Sequence, residues 1–139
     1  MIVGVGVDIL DIRRIAHLLE KFSEKFEKKY FTEVERLFCH SRTDYISAFA
    51  KMFSIKEAVI KCIVNKRGLT WHSIEVFHDN FGAPYVKLKN NNSIWHVSTS
   101  DEYPYVISYA VMEKRNIKHS VDDASRRCFS EFKQLSTST

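Results

Sequence analysis

Hydrophobic and polar positions repeat with two different periods along this chain, and the change from one to the other organises it. An apolar start, Val3, Val5 and Val7 spaced by Gly4 and Gly6, reads as a strand that ends at Asp8. Over 11–30 the apolar residues Ile15, Leu18, Leu19, Phe22 and Phe26 recur with the helical period, predicting one amphipathic helix. Thr32 and Glu35 then have the spacing of a capping box that opens a short second helix. The longest helical pattern covers 45–64, with Ala48, Phe49, Met52, Phe53, Val59, Ile60 and Ile63 on its buried side. Lys66, Arg67 and Gly68 break it, and from there strands are expected over 73–78, 85–89, 95–100 and 105–113, with turns at 79–82 and 90–92. Helices followed by strands predict an α+β domain over 1–114. In the extension over 115–139, Ser120 and Asp123 have capping-box spacing, and Val121, Ala124, Cys128, Phe132 and Leu135 share a face. That pattern predicts a terminal helix that packs on the exterior and stays out of the chemistry.

Composition narrows the class without naming a function. With 139 residues, 45% hydrophobic and 27% charged, the chain suits one globular domain that can bury a core. No apolar run is long enough to span a bilayer, and no charged-then-apolar leader opens the chain, so neither a membrane nor a secreted location is expected. Its three cysteines, Cys39, Cys62 and Cys128, lack CxxC spacing, which favours neither a disulfide framework nor a zinc site and points to the reducing cytoplasm.

The net charge of +4 is modest, but its placement is uneven. On the first helix Glu20, Glu24 and Glu27 lie together, while Arg14, Lys21, Lys25 and Lys28 make a separate row. Such a helix either pairs its charges internally or offers the basic row to an acidic partner.

Candidate chemistry concentrates in two acids. Asp8 closes the glycine-spaced strand, and Glu57 sits in the run Lys56-Glu57-Ala58-Val59-Ile60-Lys61. Two carboxylates at the mouth of one core point to a hard-metal site. Taken singly, a strand-end Asp reads as a turn cap, and a Lys56–Glu57 pair on a helix reads as solvated. Lys61 lies one turn beyond Glu57, as its ion-pair partner or as a point charge for phosphate. There is no glycine-rich phosphate loop and no internal repeat.

Five segments carry a resemblance. Gly4-Val5-Gly6-Val7-Asp8-Ile9, Phe31-Thr32-Glu33-Val34-Glu35-Arg36, Lys56 to Lys61, Asn80-Phe81-Gly82-Ala83-Pro84-Tyr85 and His96-Val97-Ser98 together resemble, in that order, the holo-acyl-carrier-protein synthases. The resemblance implies a 4′-phosphopantetheinyl transferase fold, an antiparallel sheet packed with a long central helix, and a homotrimer with active sites between subunits. The implied activity, part of fatty-acid biosynthesis, moves the phosphopantetheine arm of coenzyme A onto a serine of apo-acyl carrier protein and releases adenosine 3′,5′-bisphosphate. By the same resemblance Asp8 and Glu57 hold Mg²⁺ beside the pyrophosphate, Lys61 meets a phosphate oxygen, and the serine proton leaves through a metal-bound water or a nearby carboxylate. Arg14 matches the family's basic residue that docks an acidic helix of the carrier protein, and Lys21, Lys25 and Lys28 extend that strip.

Three departures from the family redirect other contacts. Met52 stands where the family often has an arginine, which passes a coenzyme A contact to Lys51. The turn after the central helix is short, and Lys66 and Arg67 supply cations there. Asp101, after the His96-Val97-Ser98 strand, reads either as a polar or metal-side group or as a strand-end turn residue, and His96 as a structural residue among core neighbours. A nucleic-acid-binding module would leave Asp8 and Glu57 unexplained and would set three glutamates beside its contact helix. The remaining alternative is an inactive homologue that only binds the carrier protein.

Overall fold

The computed structural model describes residues 1–115, and the terminal-helix expectation lies outside them. In chain order the elements are β1 (Ile2–Asp11), α1 (Ile12–Phe22), α2 (Glu24–Tyr30), α3 (Glu33–His40), α4 (Tyr45–Cys62), a 3-10 turn at Trp71–Ser73, β2 (Ile74–His78), β3 (Pro84–Leu88), β4 (Ile94–Glu102) and β5 (Tyr105–Glu113). One antiparallel sheet has the order β1-β5-β4, and β2-β3 forms a separate hairpin. The expected α+β class and the sheet packed by a long helix are both present.

Helix α4 is the centre of the domain. It lies across the inner face of β1 and β5 and buries Phe49, Met52, Ile55, Ala58, Val59 and Cys62. Large side chains of this kind each contribute about 1.5–3 kcal/mol when fully buried. The contact with β1 is close because Gly4 and Gly6 carry no side chain. A Cβ at either position would collide with the backbone carbonyl of Cys62 or of Ala58. The glycine spacing therefore serves the approach of another backbone rather than of a ligand.

Two expectations are corrected here. Strand β1 does not end at Asp8: it pairs with β5 as far as Asp11 opposite Tyr105, and Asp8 sits mid-strand opposite Ser108. The capping role falls to Asp11, whose Oδ1 accepts the Arg13 backbone N–H at 2.9 Å. Nor is 11–30 one helix. Ser23 has φ 44° and separates α1 from α2, so the expected stripe does not run straight through, and Phe22 is exposed while Phe26 is buried. The Thr32–Glu35 capping box is present at the start of α3. Among the described residues no helix is long and apolar enough to cross a membrane.

Candidate active site

Strand β1 aims Asp8 inward, and α4 passes over it with Ser54, Glu57 and Lys61 at i, i+3 and i+7 on one helical face. Lys61 Nζ donates to Asp8 Oδ1 at 3.0 Å and to the Val7 carbonyl at 2.9 Å. Ser54 Oγ donates to Asp8 Oδ2 at 3.0 Å. Both carboxylate oxygens of Asp8 are thus held from α4, by residues on either side of Glu57. Lys61 is paired with Asp8 rather than with Glu57, the partner its spacing suggested.

Glu57 is held less comfortably. Burial raises its carboxyl pKa above the ordinary 4.5, and the charge of Asp8 raises it further; Lys61, Lys66 and Arg14 pull it back. The structure therefore brings together Asp8, Glu57 and Lys61 and sets Lys66 and Arg14 within electrostatic reach. Among the described residues no cluster of three or more His, Cys, Asp or Glu could hold a metal. Two carboxylates close enough to repel each other, without a third protein ligand, are the donor set of a hard cation that keeps waters and phosphate oxygens. These residues fit Mg²⁺, and a cation between them would offset the repulsion that Glu57 feels.

Lys51 is not at this centre. It pairs with Asp101 at 2.8 Å, and both line a cleft of about 610 Å³ with Arg42, Asp44, His78 and Asn80. Met52 beside it is buried in the core and unable to meet a phosphate. Asp101 is not a turn residue but the penultimate residue of β4, paired with Val106 in the ladder, and its partner is Lys51 rather than the Asp8 group. His96 is also corrected: it faces solvent, 3.0 Å from Glu113, because strand alternation buries Trp95 and turns its neighbour outward.

The family model described as the 4′-phosphopantetheinyl transferase superfamily matches residues 4–112. The chain belongs to this superfamily. It is 40% identical over 112 residues to the holo-[acyl-carrier-protein] synthase of Thermodesulfovibrio yellowstonii, covering 81% of this chain and 99% of that relative. With the same enzyme of Paramagnetospirillum magneticum it shares 37% identity over 128 residues, covering 81% of this chain and 97% of the relative. Among solved structures, the holo-(acyl-carrier-protein) synthase of Bacillus anthracis in complex with CoA (3′,5′-ADP) superposes with a TM-score of 0.73 at 28% identity, covering 83% of this chain and 99% of that one. The resemblance drawn from the five segments is borne out.

In this phosphopantetheinyl transferase the basic row is split by the turn at Ser23: Arg14 and Lys21 are on α1, Lys25 and Lys28 on α2. All four are exposed. The acidic row dissolves. Glu24 pairs with Lys28 at 2.7 Å, while Glu27 turns inward, 2.9 Å from His40 and 3.6 Å from Arg36. Between the two helices an apolar cleft of about 460 Å³ is lined by Leu18, Phe22, Phe26 and Tyr30, together with Lys25 and Lys29.

Two features escaped the sequence reading. Ser54 carried a signal, its i−3 spacing from Glu57, that places it on the same face. Lys56, read as solvated, is fully buried and donates to Glu35 Oε2 at 2.7 Å and to the Tyr30 carbonyl at 2.9 Å. The helical pattern does set it apart from Lys61, since its i±3 and i±4 neighbours Met52, Phe53, Val59 and Ile60 are all apolar; what the pattern hid is the partner, which comes from a different helix.

Proposed function

We propose that Asp8, Glu57 and Lys61 form the centre at which this chain transfers the 4′-phosphopantetheine arm of coenzyme A to a serine of apo-acyl carrier protein. The observation that carries this assignment is that Lys61 of α4 meets Asp8 of β1 at 3.0 Å while Glu57, one turn before it on α4, lies close enough for the charge of Asp8 to raise its pKa. Asp8 and Glu57 would hold Mg²⁺, which when bound neutralises charge developing on the pyrophosphate. Lys61, half-exposed and already on Asp8, can swing to a phosphate oxygen, and Lys66 offers a second positive charge from the following loop. The serine gives its proton to a nearby water or carboxylate, and its oxygen bonds to the phosphorus that bears the pantetheine arm. The pyrophosphate bond to that phosphorus breaks, and adenosine 3′,5′-bisphosphate leaves.

The reading extends to three surfaces. Arg14, Lys21, Lys25 and Lys28 receive an acidic helix of the carrier protein, whose apolar side chains suit the cleft between α1 and α2. The outer face of the sheet, with Val5, Val7 and Ile9 beside Ile107 and Tyr109, is exposed and apolar, and it closes a homotrimer over the unit 1–114. In that trimer Lys51 and Arg42 meet the nucleotide end of coenzyme A held by a neighbouring subunit. The unpaired Cys39 and Cys62 suit the cytoplasm as the compartment.

The test is the purified full chain with coenzyme A, Mg²⁺ and apo-carrier protein, followed by mass spectrometry of the carrier. Addition of the phosphopantetheine arm, lost on chelation and in Asp8→Ala, is the expected result. Binding of the carrier without modification would leave an inactive homologue. Sedimentation of Val7→Glu against the parent tests the trimer, since a charge in that face should give monomers.

A further inference from the structure

The two groups that hold Asp8 are unlike. Lys61 is a long side chain, half-exposed, and its ammonium can move to another anion. Ser54 is fully buried in α4, has one rotatable hydroxyl, and delivers it to Asp8 Oδ2. Burying a hydroxyl inside a helix is locally unfavourable: Ala is the better helix former, and the hydroxyl gives up its water. A mid-helix serine often turns its hydroxyl back to its own backbone, but this one reaches across to a strand. The other nearby hydroxyl does not substitute. Ser108, opposite Asp8 in the sheet, donates to Thr99 Oγ1 at 3.2 Å, and Thr99 donates to the Ile107 carbonyl at 3.1 Å. That chain of hydroxyls runs away from Asp8, leaving Ser54 as its one hydroxyl donor among the described residues.

We propose that Ser54 is a positioning residue, whose hydroxyl holds Oδ2 of Asp8 so that the carboxylate is presented to a divalent cation instead of turning both oxygens onto Lys61. The inference rests on the assignment of Asp8 and Glu57 as the cation-holding pair. One lone pair of Oδ2 is committed to Ser54 and one of Oδ1 to Lys61, and the remaining two are available. With the hydroxyl gone, both oxygens can turn to the ammonium of Lys61, and the cation must then compete for them. Ser54 acts only through Asp8, so neither coenzyme A nor the carrier protein should register its loss once the cation is saturating.

The experiment is Mn²⁺ binding to the full chain without substrates, followed by electron paramagnetic resonance, in the parent, Ser54→Ala and Asp8→Ala. Removal of a hydrogen-bond partner behind a metal ligand commonly weakens binding about 10- to 100-fold, and Ser54→Ala is expected at the lower end, about tenfold. Asp8→Ala should bind no Mn²⁺ at this site. Raising Mg²⁺ should restore kcat in Ser54→Ala but not in Asp8→Ala, and the melting temperature of Ser54→Ala should match or exceed the parent's. Parent-like Mn²⁺ affinity in Ser54→Ala beside lost binding in Asp8→Ala overturns the role of Ser54 and leaves the centre standing. Parent-like binding in Asp8→Ala overturns the centre itself and this inference with it. If Ser54→Ala does not fold, Ser54→Cys, close in volume and with only a weak S–H donor, carries the same comparison.

Discussion

Lys61 and Lys56 leave the same helix on different sides, and each meets a carboxylate from a distant part of the chain. Lys61 reaches Asp8 at 3.0 Å with the lysine 47% and the aspartate 12% exposed, whereas Lys56 reaches Glu35 at 2.7 Å with both side chains at 0%. Glu35 also accepts the backbone N–H of Thr32 at 2.9 Å and of Val76 at 2.8 Å. Three donors and no acceptor around one carboxyl suit the ionised form, although burial pushes Glu35 up and Lys56 down, each towards neutrality. The buried pair ties α4 to α3, to the end of α2 and to β2, and its charges have nothing else to do. The open pair has spare lone pairs, an exposed cation and a strained acidic neighbour in Glu57. The same two residue types thus make a fastening where water is excluded and a reactive site where it is not.

The sharpest way to break this comparison is to remove one partner of each pair. Glu35→Ala leaves Lys56 charged and buried, and urea unfolding should show a loss of about 3–5 kcal/mol. Glu35→Leu with Lys56→Met should recover much of that loss, since an apolar pair of similar volume has no charge to desolvate. A loss below ~1 kcal/mol in the single variant would mean that the pair does not fasten the domain.

At the open pair the effect should move from stability to rate. Asp8→Ala and Glu57→Ala are expected to lower kcat/KM about 100- to 1000-fold, roughly 3–4 kcal/mol of barrier, while unfolding free energy stays within ~1 kcal/mol of the parent. Steady-state kinetics beside urea titration of the same preparations decides it. Near-parent activity in either variant at saturating Mg²⁺ would remove the centre.

A smaller effect is expected on the docking helices. Because the field of Arg14 also reaches Glu57, the cleaner probe is Lys21→Glu with Lys25→Glu. This should raise KM for the carrier protein about tenfold with little change for coenzyme A, and salt should reduce the difference. Equal changes for the two substrates would deny the helices a docking role.

The smallest effect concerns Glu57 without metal. Its folded pKa lies above the ordinary 4.5, so the folded chain keeps this proton to higher pH than the unfolded chain does. Stability therefore falls as pH rises from about 4.5 through the raised value, and the whole penalty is present above it. Glu57→Gln should stabilise the metal-free protein at neutral pH by less than ~1 kcal/mol and give no such gain below about pH 4. Thermal melts across that range check the sign, and a destabilised Gln variant at neutral pH would contradict it.

Local pattern was sufficient for most elements, because each is specified by its own residues. The period-two strands, the capping box at Thr32 and the apolar side of α4 are written within a few neighbours. Asp8, Glu57 and Lys61 were legible through the glycine-spaced strand and the run after Lys56, and the family match followed from their order along the chain. What a local period does not carry is direction after a break. A positive φ at Ser23 turned α2, brought Glu27 inward and divided the basic row, and pairing of β1 with β5 carried the strand past Asp8. Lys56 and Lys61 are the limiting case. The apolar neighbours of Lys56 at helical spacing, Met52, Phe53, Val59 and Ile60, already mark it as the inward one, but only the packing of α3 and β2 on one side of α4, and of β1 on the other, decided which carboxylate each ammonium would meet and so which became a fastening and which was left free to act.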